Sequence, residues 1–273
     1  MKKVFNFFAN LRDKLIINAV KEAIRNENAP LAGELISIKN YQIKTLNDTA
    51  ASLAQLSEGI AGLTSRIKVL ATDMRLLDKK FFINSVQLHY KSVKKRIADR
   101  LSNGEKLRFV SYVIIANTFG AHGICDIMLK EPEKYDVKFV ICPDIYRDKD
   151  FSQYRKTRAF FADRYGADAV LDGYDESTGK FIDWSDKCDV VYLANPYDFL
   201  VDTVHGINFL CTQDVLPIHI EYAIFNIGKS WMNTQAYSTD SCLYYLYFTN
   251  TSSTTSFFSS HQISPVGNII CSG

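Results

Sequence analysis

The strongest periodic pattern in the chain is a seven-residue repeat of apolar positions between residues 46 and 77. One series consists of Leu46, Leu53, Ile60, Ile67 and Met74, and the second consists of Thr49, Leu56, Leu63, Leu70 and Leu77. Polar residues lie between the two series, as they do beside the seam of a coiled coil. The pattern predicts a long helix that self-associates through residues 46–77, with a folded-back helical hairpin as the alternative.

Basic helical segments flank this repeat on both sides. Residues 3–26 place apolar side chains at helical spacing among Lys and Arg, and Asn28-Ala29-Pro30 ends that pattern. After the repeat, the helix is predicted to continue through the basic run at 91–100 and to stop at Asn103-Gly104. We therefore divide the front half into a basic amphipathic helix at 1–30 and a helical coiled-coil segment at 31–104.

Residues 105–230 show a different pattern, in which short apolar strands alternate with helical segments. Strands are predicted at 107–115, 137–142, 169–171 and 189–194, with one helix starting near Ile124 and another at 151–165. The β-branched and aromatic composition of these strands is typical of buried parallel strands. The alternation predicts right-handed βαβ units, and so an α/β fold with a doubly wound, Rossmann-like parallel sheet.

Ligands of such sheets bind at the carboxyl ends of the strands. The ends predicted here carry Asn117 and His122 after the first strand, Asp144 after the second, Asp172 after the third, and residues 195–198 after the last. These positions are therefore where binding and catalytic residues are expected.

Three segments in this region carry further information when they are taken in order. They are the Pro-ended strand within 131–143, the Gly-Tyr-Asp loop within 165–175, and the strand within 188–198 that runs from Asp-Val-Val to Pro-Tyr-Asp. This set resembles the amino-terminal lobe of the CDP-glycerol glycerophosphotransferase family. Those proteins are two-lobed (GT-B type) transferases that build teichoic-acid-like and capsular polymers. The resemblance covers roughly residues 108–273.

The resemblance implies a reaction and its reactants. A base removes the proton of an acceptor hydroxyl, which attacks the phosphorus of a CDP-activated donor and expels CMP. The implied donor is CDP-glycerol or a similar polyol phosphate, the acceptor is a glycan or a lipid-linked polymer, and no cofactor is needed. Residues 231–273 are expected to form a Ser/Thr-rich tail, in which 249–260 suit a loop or linker and the end, from Gly267, starts a link to a second lobe. Because that donor-binding lobe does not follow, we expect the chain to be inactive alone.

Two histidines are the candidate bases. His122 lies in a Gly-flanked loop after the first strand, and histidine has a pKa near neutrality. His219 lies in a segment where many members of the resembling family carry a catalytic histidine, although Glu221 and Ala223 replace the Pro and Gly expected there. A turn hydrogen bond is the alternative role for His122, and a structural role is the alternative for His219. The candidate substrate-binding residues are Asn117, Phe119, Asn195, Tyr197 and Glu221.

Metal, dinucleotide and nucleic-acid sites are not predicted. Asp172, Asp175 and Asp189 are isolated acids of the kind that cap helices and turns, and the chemistry of the resembling family needs no metal. The loop at 117–123 is neither a GxGxxG motif nor a P-loop. Residues 1–107 hold 19 Lys and Arg against 10 Asp and Glu but no nucleic-acid-binding motif. Because the basic residues of this half come with amphipathic helices, an anionic membrane surface is its candidate partner. For the helix at 3–26, packing on its own domain or on a partner is the alternative.

Composition limits the compartment and the class of function. The six cysteines have no CxxC spacing, which indicates reduced thiols of a cytosolic protein. The N-terminus lacks a signal-peptide core, and no apolar stretch reaches the ~18 residues of a spanning helix. We predict a cytoplasmic protein that is peripheral on the inner face of the membrane. It is either the transferase lobe, with another GT-B nucleotide-sugar glycosyltransferase as the nearest rival, or a non-catalytic coiled-coil assembly protein with a binding lobe.

Overall fold

The computed structural model divides the chain into two compact units, Met1–Leu76 and Leu77–Gly273. The residues that it describes are 10, 13–22, 29–194, 202–221, 240–264 and 266–272. Helix α1 spans Ala29–Ser102, which confirms the helix predicted for the heptad segment. Residues 13–22 are also helical, as predicted, and the rest of the 3–26 segment lies largely outside the described residues. No helix in the described part of the chain is long and apolar enough to cross a membrane.

The second unit is an α/β fold built on a seven-stranded parallel sheet. Its strands, in chain order, are β1 (Leu107–Val113), β2 (Tyr135–Ile141), β3 (Val170–Asp172), β4 (Tyr174–Asp175), β5 (Lys180–Phe181), β6 (Val190–Leu193), β7 (Leu216–Ile220), β8 (Leu246–Thr249) and β9 (Ile269–Cys271). Strands β4 and β5 form a separate antiparallel pair. The other seven pair in parallel in the order β3-β2-β1-β6-β7-β8-β9.

Helices cover both faces of this sheet. They are α2 (His122–Met128), α3 (Ser152–Tyr165), α4 (Ile207–Leu210), α5 (Asp240–Leu243) and α6 (Ser252–His261). Helices α2 and α3 bury Cys125, Met128 and Phe161 in a cluster on one face. Helices α4, α5 and α6 bury Leu210, Leu243 and Phe258 in a cluster on the other face. The predicted parallel α/β sheet with helices on both sides is therefore confirmed.

The carboxyl-terminal part of α1 belongs to the second cluster. Its buried side chains recur at intervals of three and four residues, which is the spacing of one helix face: Ile83, Val86, Tyr90, Val93 and Ile97. Tyr90 also donates a hydrogen bond to Leu243 O. The α/β unit therefore begins at Leu77, whereas the sequence analysis placed the division at Asn103-Gly104. The sequence marks where the helix stops, but only packing shows how much of the helix joins the sheet.

Helix α1 ends where the sequence predicts. Gly104 has a φ of +83°, the left-handed conformation that commonly follows a helix. The backbone N of Gly104 donates to Leu101 O at 3.0 Å, and that of Glu105 donates to Arg100 O at 3.2 Å. The carbonyl groups of Arg100 and Leu101, in the last turn of the helix, are thereby satisfied before the chain turns into β1.

The expectation of a loop or linker for the Ser/Thr-rich stretch is wrong. Residues Ser252–His261 form α6, and Thr251 caps it by accepting a hydrogen bond from Thr254 N at 3.1 Å. After this helix, Ile269–Cys271 pair with β8 as a further parallel strand. Ser and Thr have low helix propensity, so local composition predicts this helix only weakly. The helix forms because Thr251 caps it and Phe258 is fully buried.

A buried ion-pair cluster joins the amino ends of β1 and β6 to the end of α1. Asp189 is 1% exposed and accepts hydrogen bonds from Arg100 Nη1 at 2.5 Å, Arg108 Nη2 at 2.7 Å and Arg108 N at 2.9 Å. Burial alone would raise the pKa of this carboxyl, but the hydrogen bonds and charges of the arginines lower it overall. Asp189 therefore holds the fold together at the edge opposite the expected crevice.

Replacing Asp189 with Asn should lower the free energy of unfolding by about 3 kcal/mol or more, because both arginines keep their charge and lose their partner. Urea unfolding followed by tryptophan fluorescence measures this. The lowered pKa means that the contribution of Asp189 is present at neutral pH and is lost as the pH falls below about 4. Asp186, which is exposed and pairs with exposed Lys187, gives the matched control Asp186→Asn. Equal losses in the two variants would contradict the structural role of Asp189.

Candidate functional site

The winding of the sheet locates its crevice. When the β4–β5 hairpin is left out, the chain order of the parallel strands is 3-2-1-4-5-6-7, so the winding reverses between β1 and β6. In open α/β sheets the ligand crevice lies at that reversal, outside the carboxyl ends of the strands. The loop at 114–121, after β1, and Ala194, directly after the end of β6, flank it here. Asn195 and Tyr197 follow Leu193 and lie outside the described residues.

Asn117 and Phe119 lie in the first of these loops and differ in exposure. Asn117 is exposed within the 3-10 turn Ala116–Thr118. Phe119 is 5% exposed and packs edge-on against four rings at centroid distances of 4.7 to 5.9 Å: His122, Phe139, Phe161 and Tyr192. Asn117 is therefore accessible to a ligand, whereas Phe119 stabilises the packing of α3 on the sheet.

His122 begins α2 and is half-buried among the aromatic rings of α3. Its Nδ1 lies 2.6 Å from the Tyr165 hydroxyl, and its ring stacks on Phe161. Burial lowers the pKa of His122, and the positive charge of Arg164 lowers it further, so the imidazole is neutral at pH 7. A neutral imidazole is able to accept a proton, but Tyr165 already engages Nδ1. The base role of His122 stays a prediction and would have to use Nε2.

His219 lies within β7, on the opposite face of the sheet from His122. It is fully buried, and its ring contacts Tyr244 and Tyr247 at centroid distances of 5.6 and 4.8 Å. Burial lowers the pKa of His219 to about 4, so the neutral ring donates from Nδ1 to Leu193 O at 2.7 Å. Nε2 is then an acceptor with no hydrogen-bond partner among the described residues. The structure therefore does not bring the two candidate bases together.

Glu221 directly follows the last residue of β7 and is a buried acid. It is 3% exposed, and its Oε2 accepts a hydrogen bond from Asn250 N at 3.0 Å. Its Oε1 is buried without a hydrogen-bond partner in the described part of the chain. Burial raises the pKa of the Glu221 carboxyl to about 7, an effect that the hydrogen bond from Asn250 only partly opposes. This group changes its protonation near neutral pH, which is the property that acid–base catalysis uses.

Two other acids at this edge of the sheet are paired. Asp144 accepts hydrogen bonds from the backbone N of Tyr146 and of Arg147, each at 3.0 Å, and forms an ion pair with the Arg147 side chain at 2.6 Å. Asp172 accepts a hydrogen bond from the Tyr154 hydroxyl at 3.0 Å and pairs with Arg158 at 2.6 Å. Glu221 differs from both, because the described residues provide no charged partner for it.

A close backbone contact explains why the Gly-Tyr-Asp loop begins with glycine. Gly173 N donates to Ile141 O at 2.8 Å, so the loop lies directly against the end of β2. A Cβ atom at this position would lie 2.6 Å from that carbonyl oxygen. Gly173 therefore permits the close approach that keeps Asp172 beside Tyr154 and Arg158.

Two surface clefts of the second unit lie apart from the candidate bases and from Glu221. One cleft of about 340 Å³ lies beside the carboxyl end of β3 and is lined by Tyr154, Arg158, Asp172 and Tyr174, among others. Another of about 380 Å³ lies near the amino ends of β8 and β9, where its lining includes Lys91, Lys94 and Tyr245. Neither cleft is lined by His122, His219 or Glu221.

Sequence reasoning missed Asn250, which positions Glu221. Asn250 follows β8, in the region that the sequence analysis assigned to the tail. The available signal was the apolar run at 243–248, directly before Thr249-Asn250, which resembles the other predicted strands. Reading it as a strand would have placed Asn250 at the carboxyl edge.

The function of this site has to be inferred without a metal-binding cluster among the described residues and without a known relative. In the parts of the chain that the structure describes, no three His, Cys, Asp or Glu side chains converge on a possible metal ion. No family model, curated protein or solved structure matches the chain. The candidate site is therefore defined by its geometry: exposed Asn117 at the reversal of winding, and His219 and Glu221 on one face of β7, beside Leu193 and Asn250.

The stability of the protein should report the protonation of Glu221. The unfolded chain ionises this carboxyl above pH 4.5 and the folded chain only above about pH 7, so its contribution to stability is full below 4.5 and is lost as the pH rises through 7. The loss amounts to about 3 kcal/mol. As the pH is raised from 5 to 8, the free energy of unfolding of Glu221→Gln should therefore increase by about this amount relative to that of the unsubstituted protein.

Comparing Glu221→Gln with the unsubstituted protein separates the effect of Glu221 on the pH dependence from the effect of the histidines. The lowered pKa of His219 has the opposite effect on stability as the pH rises, but both proteins share it. Glu133→Gln, at an exposed acid, is the control and should show no such change. A difference between Glu221→Gln and the unsubstituted protein that is constant from pH 5 to 8 would mean that Glu221 has an ordinary pKa.

Proposed function

We propose that this chain is the acceptor-side lobe of a CDP-glycerol glycerophosphotransferase-like enzyme of GT-B architecture. It acts in the synthesis of a capsule or teichoic-acid-like polymer. The observation that carries the proposal is the seven-stranded parallel sheet whose winding reverses between β1 and β6, which is compatible with a Rossmann-like lobe. The three segments that resemble the family coincide with β2, the turn after β3, and β6 with the residues that follow it. Strands β3 and β2 are neighbours, and β6 is separated from β2 only by β1, so the carboxyl ends of all three strands lie at one edge of the sheet.

Glu221 is the base in this proposal. In the proposed reaction, its ionised carboxylate takes the proton of the acceptor hydroxyl, and the hydroxyl oxygen attacks the phosphorus that carries the glycerol. The bond from that phosphorus to the oxygen of CMP breaks, and CMP leaves with the bonding electron pair. An Oε1 atom without a partner among the described residues and a pKa of about 7 suit this role.

His219 and His122 remain the alternative bases. His219 lies two residues before Glu221 on the same face of β7, roughly 7 Å away along the strand. Its Nε2 has no hydrogen-bond partner among the described residues, but its low pKa makes it a weak base. His122 is on the other face of the sheet, so it serves a hydroxyl only if the acceptor approaches from the side of α3.

The acceptor is proposed to be lipid-linked, which places the enzyme on the cytoplasmic face of the membrane. In the helix at 13–22, Ile16, Ile17 and Val20 are between 41% and 52% exposed, and Lys14 and Lys21 flank them. Exposed apolar side chains beside lysines are the composition that binds an anionic lipid surface.

Binding measurements test the assignment to the acceptor side. Titration calorimetry with a synthetic glycerol-phosphate oligomer should show binding, and CDP-glycerol should bind at least about tenfold more weakly. In a two-lobed transferase, the nucleotide is held mainly by the other lobe. Tighter binding of CDP-glycerol than of the oligomer would contradict the acceptor-side assignment, and binding of neither would exclude the transferase.

The variant Glu221→Gln tests the base. The assay measures CMP release from CDP-glycerol with a primed lipid acceptor, this chain, and the donor-binding lobe of a CDP-glycerol glycerophosphotransferase. The variant should lower kcat by at least about 100-fold and keep oligomer binding within about twofold, because Gln preserves the shape of the side chain. The rate of the unsubstituted protein should rise as the pH passes about 7. Loss of activity in His122→Ala or His219→Asn, with Glu221→Gln active, would assign the base to that histidine.

A non-catalytic assembly protein is the second candidate. The observation that favours it is the row of heptad side chains on α1, which are mostly more than half exposed, as expected for a helix that binds another helix. If neither the oligomer nor the nucleotide binds while the chain self-associates, that result would support this function over the transferase.

A further inference from the structure

The two apolar series of the heptad repeat form one exposed stripe along α1. Each member from position 53 onward exposes between 52% and 64% of its surface: Leu53, Leu56, Ile60, Leu63, Ile67, Leu70, Met74 and Leu77. Thr49 is compatible with the stripe, because its Oγ1 donates to Thr45 O at 2.8 Å and its hydroxyl is thereby satisfied. A contiguous apolar surface of this length marks an interaction site. Among the described residues, none covers it.

We propose that a second copy of this chain covers the stripe, with the two helices antiparallel. A heptad stripe is complementary to another heptad stripe, because each apolar side chain fills a hole between four residues of the facing helix. In the antiparallel register that matches the whole stripe, Leu46 lies opposite Leu77 of the second copy, and Ile60 lies opposite its Leu63. Only Thr49, opposite Met74, brings a polar side chain into this seam.

The stripe is large enough for a specific interface. Full burial of one Leu or Ile side chain removes on the order of 100 Å² from water. Since the eight members are a little more than half exposed, two copies would bury roughly 1,000 Å² of apolar surface along the stripe alone. That is about the size that a specific protein–protein interface needs. A monomer would leave all of this surface in water.

The distribution of charge favours the antiparallel orientation. Residues 46–61 contain Asp48 and Glu58 but no Lys or Arg, which gives them a net charge of −2. Residues 62–77 contain Arg66, Lys68 and Arg75 against Asp73, which gives a net charge of +2. Antiparallel helices place each acidic half beside a basic half, whereas parallel helices place like beside like. These charges are exposed and each contributes little, but they all favour the same orientation.

The residues that flank the seam also favour the antiparallel orientation. In a parallel pair, Asp73 would lie beside Asp78 of the second copy, and this repulsion would occur on both sides of the seam. In the antiparallel register, Asp73 instead faces Ser52, and Asp78 faces Ile43. The flanking positions between 50 and 64 are small and uncharged in either case: Ala50, Ser52, Ser57, Gly59 and Thr64. They offer no further charge that would select the parallel form.

Disulfide trapping in the full-length chain tests the orientation. Cys271 is exposed and the other five cysteines are buried, so Cys271→Ser provides a background without a reactive thiol. Leu46→Cys and Leu77→Cys are then made separately in this background. When the two variants are mixed and mildly oxidised, a covalent heterodimer should form, and each variant alone should give about tenfold less dimer. Ala51→Cys with Thr72→Cys, on the outer side of the helix in the same register, is the matched control and should give none.

Other outcomes would overturn the proposal. Strong cross-linking of Leu46→Cys with itself would show parallel helices, and a monomer in sedimentation at micromolar concentration would exclude self-association. Leu63→Asp combined with Leu70→Asp places charges in the seam and should abolish both the dimer and the cross-link. Because both residues are exposed and lie outside the α/β unit, tryptophan fluorescence of this variant should remain unchanged. A double variant that stays dimeric would place the interface elsewhere.

Discussion

The rest of the structure depends on the burial of one face of α1 against the parallel sheet. A parallel sheet needs cover on both faces, because its strands are apolar on both sides. Helices α2 and α3 cover one face, whereas α4 and α5 on the other have only four residues each. The row from Ile83 to Ile97 adds a long apolar surface to that face. The Asp189 cluster then joins the end of the same helix to β1 and β6, so the sheet and α1 are stabilised together.

Helix α1 has two apolar rows, of which one is buried and the other is exposed. The row that contains Ile83 and Tyr90 is buried, whereas the row that contains Phe81 and Leu88 continues the heptad stripe and is more than 60% exposed. Both rows have heptad spacing, so periodicity alone does not distinguish a core contact from an interface. The sheet decides which row is buried, and the row left outside is the one available to a second copy.

Burial also raises the pKa of Glu221 in the candidate site. Glu221 lies at the carboxyl edge, where the neighbouring strand supplies one backbone donor and the described residues supply no cation. Asp144 pairs with Arg147. The two carboxyl groups are equally buried and differ in their partners. A carboxyl group without a charged partner retains its proton near neutral pH, and such a group is poised to exchange a proton with a substrate.

Much of the fold could be predicted from the sequence, because strand composition, helical spacing and the Asn103-Gly104 stop are local signals. The parallel strands β1, β2, β3 and β6, the helices α2 and α3 and the heptad helix follow from them. The residues of the stripe between 46 and 77 also follow from the sequence, because a seven-residue period is visible without tertiary information. Asn117, Asp144 and Asp172 lie at the carboxyl ends of their strands, as the sequence predicts.

Only the tertiary structure decided how these residues meet. The two histidines lie on opposite faces because strands alternate their side chains and α2 packs against the face away from His219, which requires knowing the strand register. The pKa of Glu221 depends on its burial beside Asn250, a residue 29 positions away along the chain. Helix α6 and strand β9 form because the sheet already offers an edge and an apolar surface to polar, weakly patterned residues. Local pattern determined the elements of this protein, and packing over long distances in sequence determined its site.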